Sequence, residues 1–241
     1  MKFNKKSRVV WITGASTGIG KETAIEFSKA GYIVVATGRR KSRLVNLVSE
    51  IKFAEKEASA FVCNVASERS VHSVVKRIRE RYGKIDILIN NAGVTIFRTL
   101  LETKALDFDT IINTNLRGAF LCTKAVLPMM IKSRSGHIIN ISSTAANTTF
   151  PLSSVYSASK AGLIAMSNSL REEVKKFNIK VTNVIPGPVE TPMWDARSRQ
   201  RYHNRMMTPK DIARLICQIA AQPKKVVIEQ LQIRPIKGDI S

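Results

Sequence analysis

Short apolar runs rich in β-branched residues alternate with longer amphipathic stretches along the whole of this 241-residue chain. This alternation is typical of parallel strands joined by crossover helices. Two parallel strands need a long connection that returns to the start of the sheet, and a helix packed on the sheet face usually provides it. It predicts one α/β domain over residues 1–241, a doubly wound parallel sheet of about seven strands with helices on both faces. The predicted strands are residues 8–13, 32–37, 60–63, 86–89, 136–142, 180–185 and 226–233. The predicted helices are residues 18–30, 40–54, 67–82, 103–131, 153–177 and 208–221.

Composition excludes several other classes of protein. Hydrophobic residues make up 44% and charged residues 24% of the chain, which is ordinary for a globular domain and unlike disordered or collagen-like sequences. The apolar run at residues 9–12 is far shorter than a signal-peptide core or a membrane span, so neither export nor a membrane partner is expected. Cys63, Cys122 and Cys217 are widely separated and match no zinc pattern, so we expect reduced thiols, no metal site and a cytoplasmic protein.

The charge balance is the one compositional anomaly. Lys and Arg number 39 against 18 Asp and Glu, giving a formal net charge of +21. Such a field could attract nucleic acid, but the excess is spread along the chain and forms no basic tail. We interpret it as a solvated basic surface, and nucleic acid is not an expected partner.

A long stretch without regular periodicity lies at residues 186–207. It contains Pro186, Pro188 and Pro192 followed by four arginines, at positions 197, 199, 201 and 205. Loops of this length inside a compact domain tend to be functional. We expect this segment to form a lid over a substrate site.

The first predicted strand runs straight into a glycine-rich turn at residues 14–20, before the first helix. Three glycines at such a junction allow a tight turn and let a pyrophosphate approach the backbone at the positive end of the helix. The spacing is GxxxGxG, a variant of the usual dinucleotide pattern. The turn predicts a dinucleotide site in a Rossmann-type sheet, formed by Gly14, Ser16, Thr17, Gly18, Ile19 and Gly20.

Further motifs follow in a fixed order along the chain. They are Asn90-Asn91-Ala92-Gly93 after the fourth strand, Asn115 in the next helix, Ser142 and Ser143 ending the fifth strand, Tyr156 with Lys160, and Pro186-Gly187 after the sixth strand. Together with the glycine turn they resemble the short-chain dehydrogenase/reductase family, over residues 8–233. The resemblance implies an oxidoreductase that acts on C=O and CH–OH groups.

The spacing of Tyr156 and Lys160 suits acid-base chemistry. Residues four apart lie on one face of a helix, so both side chains can point into one cleft. A free phenol titrates near pH ~10, and a neighbouring ammonium favours the phenolate, which lowers the pKa of the tyrosine. We therefore expect Lys160 to make Tyr156 a usable acid and base.

The resemblance also implies roles for four catalytic residues. Ser143 would polarise the substrate carbonyl and Tyr156 would deliver the proton. Lys160 would lower the tyrosine pKa and bind the nicotinamide ribose, while Asn115 would hold a water that feeds protons to Lys160. Ser142, one position short of the family spacing, is expected to be a support residue.

Cofactor contacts carried over from the resemblance extend beyond the glycine turn. Asn64 and Val65 stand where the family usually has Asp-Val beside the adenine, and an asparagine carbonyl can still accept from the adenine amino group. The other expected contacts are Asn91, Ala92, Gly93, Tyr156, Lys160, Pro186, Gly187, Val189 and Thr191.

The end of the second strand indicates which dinucleotide is bound. NAD enzymes usually place an acid there for the ribose hydroxyls, but this strand ends at Gly38. Arg39 and Arg40 follow at once, and guanidinium groups suit a phosphate dianion. The sequence predicts NADP(H), as NADPH in the reductive direction, over NAD(H).

Substrate is indicated less directly. Ser143 and Tyr156 would hold the reacting carbonyl, with Phe150, Met193 and Trp194 as apolar contacts. The lid arginines could meet an anionic group or form a solvated helix face, and we favour the solvated face.

The 3-oxoacyl-carrier-protein reductases typically have a glycine pair after the last strand, but here Arg234-Pro235-Ile236 follows residue 233. This sequence resembles instead the branch that contains NADP-dependent 3-hydroxy acid and serine dehydrogenases and some pterin-type reductases. We expect a small polar, hydroxy-acid-like carbonyl or alcohol as substrate. The alternatives are a 3-oxoacyl-[acyl-carrier-protein] reductase and, from another class, a non-catalytic dinucleotide sensor or nucleic-acid binder. The resemblance further implies a homodimer or homotetramer that pairs through residues 103–131 and 153–177.

Overall fold

The computed structural model describes residues 7–240 and contains one parallel sheet. The seven strands are β1 (Val9–Ile12), β2 (Ile33–Gly38), β3 (Ala58–Val62), β4 (Ile87–Asn90), β5 (Gly136–Ile141), β6 (Ile179–Pro186) and β7 (Gln230–Ile233). Their order in the sheet is β3-β2-β1-β4-β5-β6-β7, with every neighbouring pair parallel. The predicted doubly wound sheet is confirmed, and its strand order reverses between β1 and β4.

Eight α-helices cover the sheet within residues 7–240. They are α1 (Gly18–Lys29), α2 (Lys41–Phe53), α3 (Glu68–Tyr82), α4 (Ala105–Ile112), α5 (Gly118–Ser133), α6 (Ser154–Val174), α7 (Ala196–Tyr202) and α8 (Pro209–Ala221). Local sequence fixes several of their ends. The Ser67 side chain accepts from the Ser70 amide at the start of α3, and Gly83 ends that helix with a φ of 74°.

Both faces of the sheet are buried, because helices pack on each of them. Successive residues of β1 point to opposite faces, so Val10 and Ile12 join Phe27 in one core cluster while Val9 and Trp11 join the other. All four β1 residues are fully buried. Continuous apolar strands such as VVWI are expected for a central strand covered on both sides.

The predicted helix over residues 103–131 is two helices. A π-helical turn, Asn113–Arg117, separates α4 from α5. Buried Asn115 lies in this turn, and its side chain hydrogen-bonds Val94 in the segment that follows β4. The helix is therefore wider at the residue that makes this contact. Single π turns inside helices are frequent at functional sites, and no composition signal marks this one.

The segment at residues 186–207 has more structure than predicted. It contains α7, capped by Asp195, whose carboxylate accepts from the Ser198 amide at 2.9 Å. Val189 and Met207 form an isolated parallel bridge at its base. At the sheet edges, β3 begins at Ala58, earlier than predicted, and β7 is shorter than the apolar run at residues 226–233. No helix within residues 7–240 is both long enough and apolar enough to cross a membrane.

Candidate active site

The glycine turn is too crowded for side chains. Gly14 and Gly18 have φ values of +66° and +57°, which few other residues adopt. A Cβ on Gly14 would lie 2.8 Å from the Ala92 Cα, and one on Gly20 would lie 2.4 Å from the Asn91 Nδ2. The turn therefore packs directly against the segment that follows β4.

Hydrogen bonds lock these two segments together. The Asn91 Nδ2 donates to the Thr13 carbonyl at 2.9 Å and to the Gly14 carbonyl at 3.2 Å. The Thr13 hydroxyl accepts from the Asn91 and Ala92 amides at 3.0 and 3.1 Å. Thr13 was not singled out from the sequence, although its place at the end of a strand before a glycine turn was a usable signal.

Arg40 is the arginine held at the rim of the turn. Its Nη2 donates to the Ser16 and Thr17 hydroxyls, both at 3.0 Å. Partial desolvation lowers the pKa of Arg40, and the charges of Arg43 and Arg39 add to this effect. Both predicted arginines are exposed, but only Arg40 is fixed to the turn by hydrogen bonds among the contacts described.

The residues after β3 make most of their contacts with other residues of the protein. The Asn64 Oδ1 accepts from the Ala66 amide at 3.2 Å, in an Asx turn that leaves this exposed carbonyl one lone pair for a ligand. Val65 is buried against Gly118, where a Cβ would lie 2.7 Å from its Cγ2. Val65 therefore supports the start of α5.

Ser143 and Tyr156 are brought together at the carboxyl end of β5. The Ser143 hydroxyl lies close enough to the Tyr156 phenol to affect its pKa, and it accepts from the Ala145 amide at 3.1 Å. Burial raises the pKa of Tyr156, and the neighbouring Ser143 hydroxyl acts in the opposite direction. The expected lowering by Lys160 is not seen in this structure, because the Lys160 ammonium is directed elsewhere.

Lys160 is buried beside the tyrosine. Its Nζ donates to the Ile141 carbonyl at 2.7 Å and lies 5.8 Å from the centroid of the Tyr156 ring. Burial lowers the pKa of Lys160 to about 8. The Ser142 hydroxyl donates to the Lys160 carbonyl at 3.1 Å, in keeping with the support role expected for that serine.

Asn115 joins the segment after β4 to the catalytic helix. Its Oδ1 accepts from the Val94 amide at 2.8 Å, and its Nδ2 donates to the Val94 carbonyl at 2.9 Å and to the Ser159 hydroxyl at 3.0 Å. These bonds use both amide protons, so the side chain orients protein segments rather than donating to a water. Ser159, which the sequence analysis missed, occupies the position directly before Lys160.

The base of the lid reaches the glycine turn. The Gly187 amide donates to the Ile233 carbonyl at 2.7 Å, which fixes the Pro186-Gly187 turn beside β7. Val189 is buried, and the Thr191 Cγ2 lies 3.1 Å from where a Cβ on Gly18 would stand. The lid thus starts directly over the predicted pyrophosphate turn.

The predicted substrate contacts differ in their surroundings. Phe150 and Trp194 are half-buried and Met193 is exposed. The Trp194 ring contacts Phe97, with centroids 5.7 Å apart. Phe97 was not predicted, because the stretch after Gly93 has no periodicity that separates a site residue from a loop residue.

Of the lid arginines, Arg205 is tied to the C-terminal segment. Its Nη2 donates to the Asp239 carbonyl at 3.0 Å, and the Asp239 carboxylate pairs with Arg234. Arg197 and Arg201 are exposed, as expected of a solvated face. Among the described residues, no group of three or more His, Cys, Asp and Glu side chains is placed to hold a metal ion.

All of these features lie at the carboxyl edge of the sheet. The glycine turn follows β1 and the Asn91 segment follows β4, so they flank the point where the strand order reverses. Open α/β sheets bind their ligands at this point. The fold and site therefore define a dinucleotide-binding α/β protein with a Ser-Tyr-Lys group beside the binding turn.

Comparison with known proteins agrees with this class of protein. The model of the short chain dehydrogenase family matches residues 8–202. A sepiapterin reductase of Chlorobaculum tepidum is 36% identical over 239 residues, covering 96% of this chain and 98% of its own. The 3-oxoacyl-[acyl-carrier-protein] reductase FabG of Thermotoga maritima is 36% identical over 234 residues, covering 94% and 95%. A solved closed form of serine dehydrogenase complexed with NADP+ is 30% identical, covers 97% of each chain and has a TM-score of 0.90.

The chain belongs to the short-chain dehydrogenase family and is an oxidoreductase of that family.

Proposed function

We propose that this protein transfers hydride between NADP(H) and the carbonyl or secondary alcohol of a small polar, hydroxy-acid-like molecule. The observation that carries the proposal is the placement of the Ser143 and Tyr156 side chains next to each other, beside buried Lys160, at the sheet edge that also holds the glycine turn. An acid, a hydrogen-bond donor and a cation are thereby placed next to a dinucleotide site.

Each residue has a role that follows from its surroundings. NADPH, when bound, supplies the hydride. Tyr156 donates the proton to the substrate oxygen, and Ser143 hydrogen-bonds that oxygen as it gains negative charge. Lys160 is the neighbouring cation, and its ammonium, bound to the Ile141 carbonyl in this structure, must turn toward the phenol oxygen to stabilise the tyrosinate once the proton has left. Asn115 holds the catalytic helix against the segment after β4.

The residues present fit a phosphorylated dinucleotide. The glycine turn is a cradle in which a Cβ on Gly14 or Gly20 would collide with the Asn91-Ala92 backbone or side chain. Arg40 is fixed on the Ser16 and Thr17 hydroxyls, where a 2′-phosphate could be met by a guanidinium. That a serine dehydrogenase of the same fold is complexed with NADP+ supports the same choice here.

A second candidate substrate has its own support. The relative at 36% identity from Thermotoga maritima is a 3-oxoacyl-[acyl-carrier-protein] reductase. The Arg234-Pro235-Ile236 ending favours the hydroxy-acid branch instead, and here Arg234 is engaged by Asp239 and the Thr148 hydroxyl. An acyl thioester is therefore the runner-up.

We further propose that the protein is a cytoplasmic homodimer or homotetramer. Large apolar side chains on α4 and α5 remain exposed, with Leu106 73%, Phe108 47% and Phe120 45% accessible. Such a surface favours pairing with a second copy. Light scattering of the purified protein, repeated with Phe120→Glu, tests this: a monomeric mass for the native chain contradicts it.

The activity is tested by NADPH oxidation with a panel of free ketones, 3-oxo acids, 3-oxoacyl thioesters and pterins. We expect turnover of the small polar class, and a loss of ~100-fold or more in Tyr156→Phe. Tyr32→Phe, on the opposite edge of the sheet, is the matched control and should retain activity. Thioester turnover far above all free ketones would favour the runner-up. Absent turnover with intact NADPH binding would favour the non-catalytic sensor.

A further inference from the structure

An aromatic pair joins two segments that flank the site. Phe97 lies on the segment that follows β4, and Trp194 lies on the segment that follows β6. In the sheet β5 lies between these two strands, and Ser143 stands just after the carboxyl end of β5. Contact between the two rings therefore spans the strand end at which Ser143 and Tyr156 meet.

The segment that carries Phe97 is fixed on both sides of the ring. Val94 is bound by the Asn115 side chain through two hydrogen bonds. The Arg98 amide donates to the Leu152 carbonyl at 3.0 Å, and the Arg98 guanidinium pairs with Asp107 at 3.5 Å. Phe97 thus lies on a short segment that is anchored on both sides.

Trp194 is held from the lid. Its amide donates to the Thr191 carbonyl at 3.1 Å, and the Thr191 methyl stands over Gly18 in the glycine turn. One ring is therefore tied to the catalytic helix through Asn115, and the other is tied to the dinucleotide turn through Thr191.

The geometry of the pair leaves a ring surface open. The centroids are 5.7 Å apart with an interplanar angle of 32°, within the range in which aromatic rings attract one another. Phe97 remains 44% exposed and neighbouring Met193 remains 41% exposed. A rigid aromatic face and a thioether are the side chains that a flat, polarisable ring packs on best.

We propose that Phe97 and Trp194 form a stacking wall for a planar, π-conjugated ring attached to the substrate carbonyl. This inference rests on the proposed function and adds a flat aryl or heteroaryl ring to the polar carbonyl or alcohol group of that substrate. Ser143 and Tyr156 hydrogen-bond the carbonyl oxygen, while the wall fixes the plane of the ring. The orientation of the ring in turn determines which face of the carbonyl is turned toward the hydride donor.

The test compares two ketones with the same carbon skeleton, acetophenone and cyclohexyl methyl ketone. Binding of each to the complex of enzyme and NADP+ is measured by calorimetry. Tryptophan quenching gives a second readout, since Trp11 is fully buried and Trp194 is the only other tryptophan in the sequence. We expect acetophenone to bind about 2- to 10-fold more tightly than its saturated counterpart.

Variants separate stacking from lid closure. Phe97→Leu and Trp194→Leu should each abolish the preference for the flat ring, while Phe53→Leu, a control at the exposed end of α2, should retain it. Equal binding of the two ketones, binding of neither, or equal weakening of both by the leucine variants would overturn the proposal. A ring preference in binding without any NADPH oxidation would instead count against the proposed function, and turnover without a ring preference would count against the wall alone.

Discussion

Ser159 connects two of the residues on which the proposed chemistry depends. Its hydroxyl accepts from the Asn115 Nδ2 at 3.0 Å and donates to the Tyr156 carbonyl at 2.7 Å. The side chain is completely buried. The Ser159 hydroxyl therefore ties the first turns of α6, which carry Tyr156, to the π turn.

Removing this hydroxyl should slow catalysis without weakening the dinucleotide site. In Ser159→Ala the Asn115 amide loses a buried partner, so we expect kcat to fall roughly 10-fold with NADPH affinity unchanged. The pH profile of kcat should also shift, because the tyrosine is displaced from Ser143. Steady-state kinetics across pH with the best ketone of the panel provides the measurement. Ser157→Ala on the same helix is the control, and equal effects in both variants would rule out the positioning role.

Burial of Lys160 leads to a prediction about the stability of the protein rather than its catalytic rate. Its pKa is lowered to about 8 in the folded protein, against an ordinary value near 10.5, so between these values the unfolded chain binds the extra proton. The free energy of unfolding should therefore rise with pH across this window, by about 3 kcal/mol in total from this group. Urea unfolding at several pH values, compared with Lys160→Met, isolates the contribution. If the methionine variant shows the same rise, Lys160 is not the group responsible.

At the scale of elements, the order of strands and helices was predictable from the sequence. The hydrophobic periodicity of each segment matches the element that is buried at that place in the fold. The apolar strands, the glycine turn and the Tyr156-Lys160 spacing are all local patterns. The π turn at Asn113–Arg117 and the Phe97-Trp194 contact were not predictable, because each depends on side chains meeting across the sheet edge. Helix α7 was hidden for a different reason, since its seven residues are mostly polar and bury no apolar face.

The junction of β2 and α2 was predicted to select the dinucleotide, and the structure distinguishes its two arginines. Arg40 is fixed on Ser16 and Thr17, whereas Arg39 is exposed. Arg40→Ala should weaken NADPH binding ~10-fold or more with little effect on NADH, because a charge-assisted contact to the 2′-phosphate is lost. Arg39→Ala should have the smaller effect. Fluorescence titration with both dinucleotides decides the matter, and a larger loss in Arg39→Ala would reverse the assignment.

For the molecule as a whole, the net charge of +21 is distributed over a surface with few compensating acids. The ion pairs between described residues are mostly exposed and each contributes little. Self-repulsion of this kind is screened by salt. Global stability therefore depends mainly on the two apolar cores on either face of the sheet, and a buried histidine within that sheet gives it a specific acid sensitivity.

His137 lies in β5, 2% exposed, with its Nε2 2.8 Å from the Thr182 hydroxyl. Burial lowers its pKa to about 3, and the charges of Lys180 and Arg8 contribute in the same direction. The unfolded chain takes up this proton near pH ~6.5 while the folded protein does not, so stability is lost as the pH falls below that value.

From this histidine alone we expect a loss of about 2 kcal/mol in the free energy of unfolding between pH 6.5 and 4.5. His137→Gln keeps an amide donor for Thr182 and has no proton to take up, so its stability should fall less over the same interval. Urea unfolding at the two pH values measures the difference, with His72→Gln on the exposed face of α3 as the control. A constant offset between the native protein and His137→Gln at both pH values would show that another group governs acid unfolding.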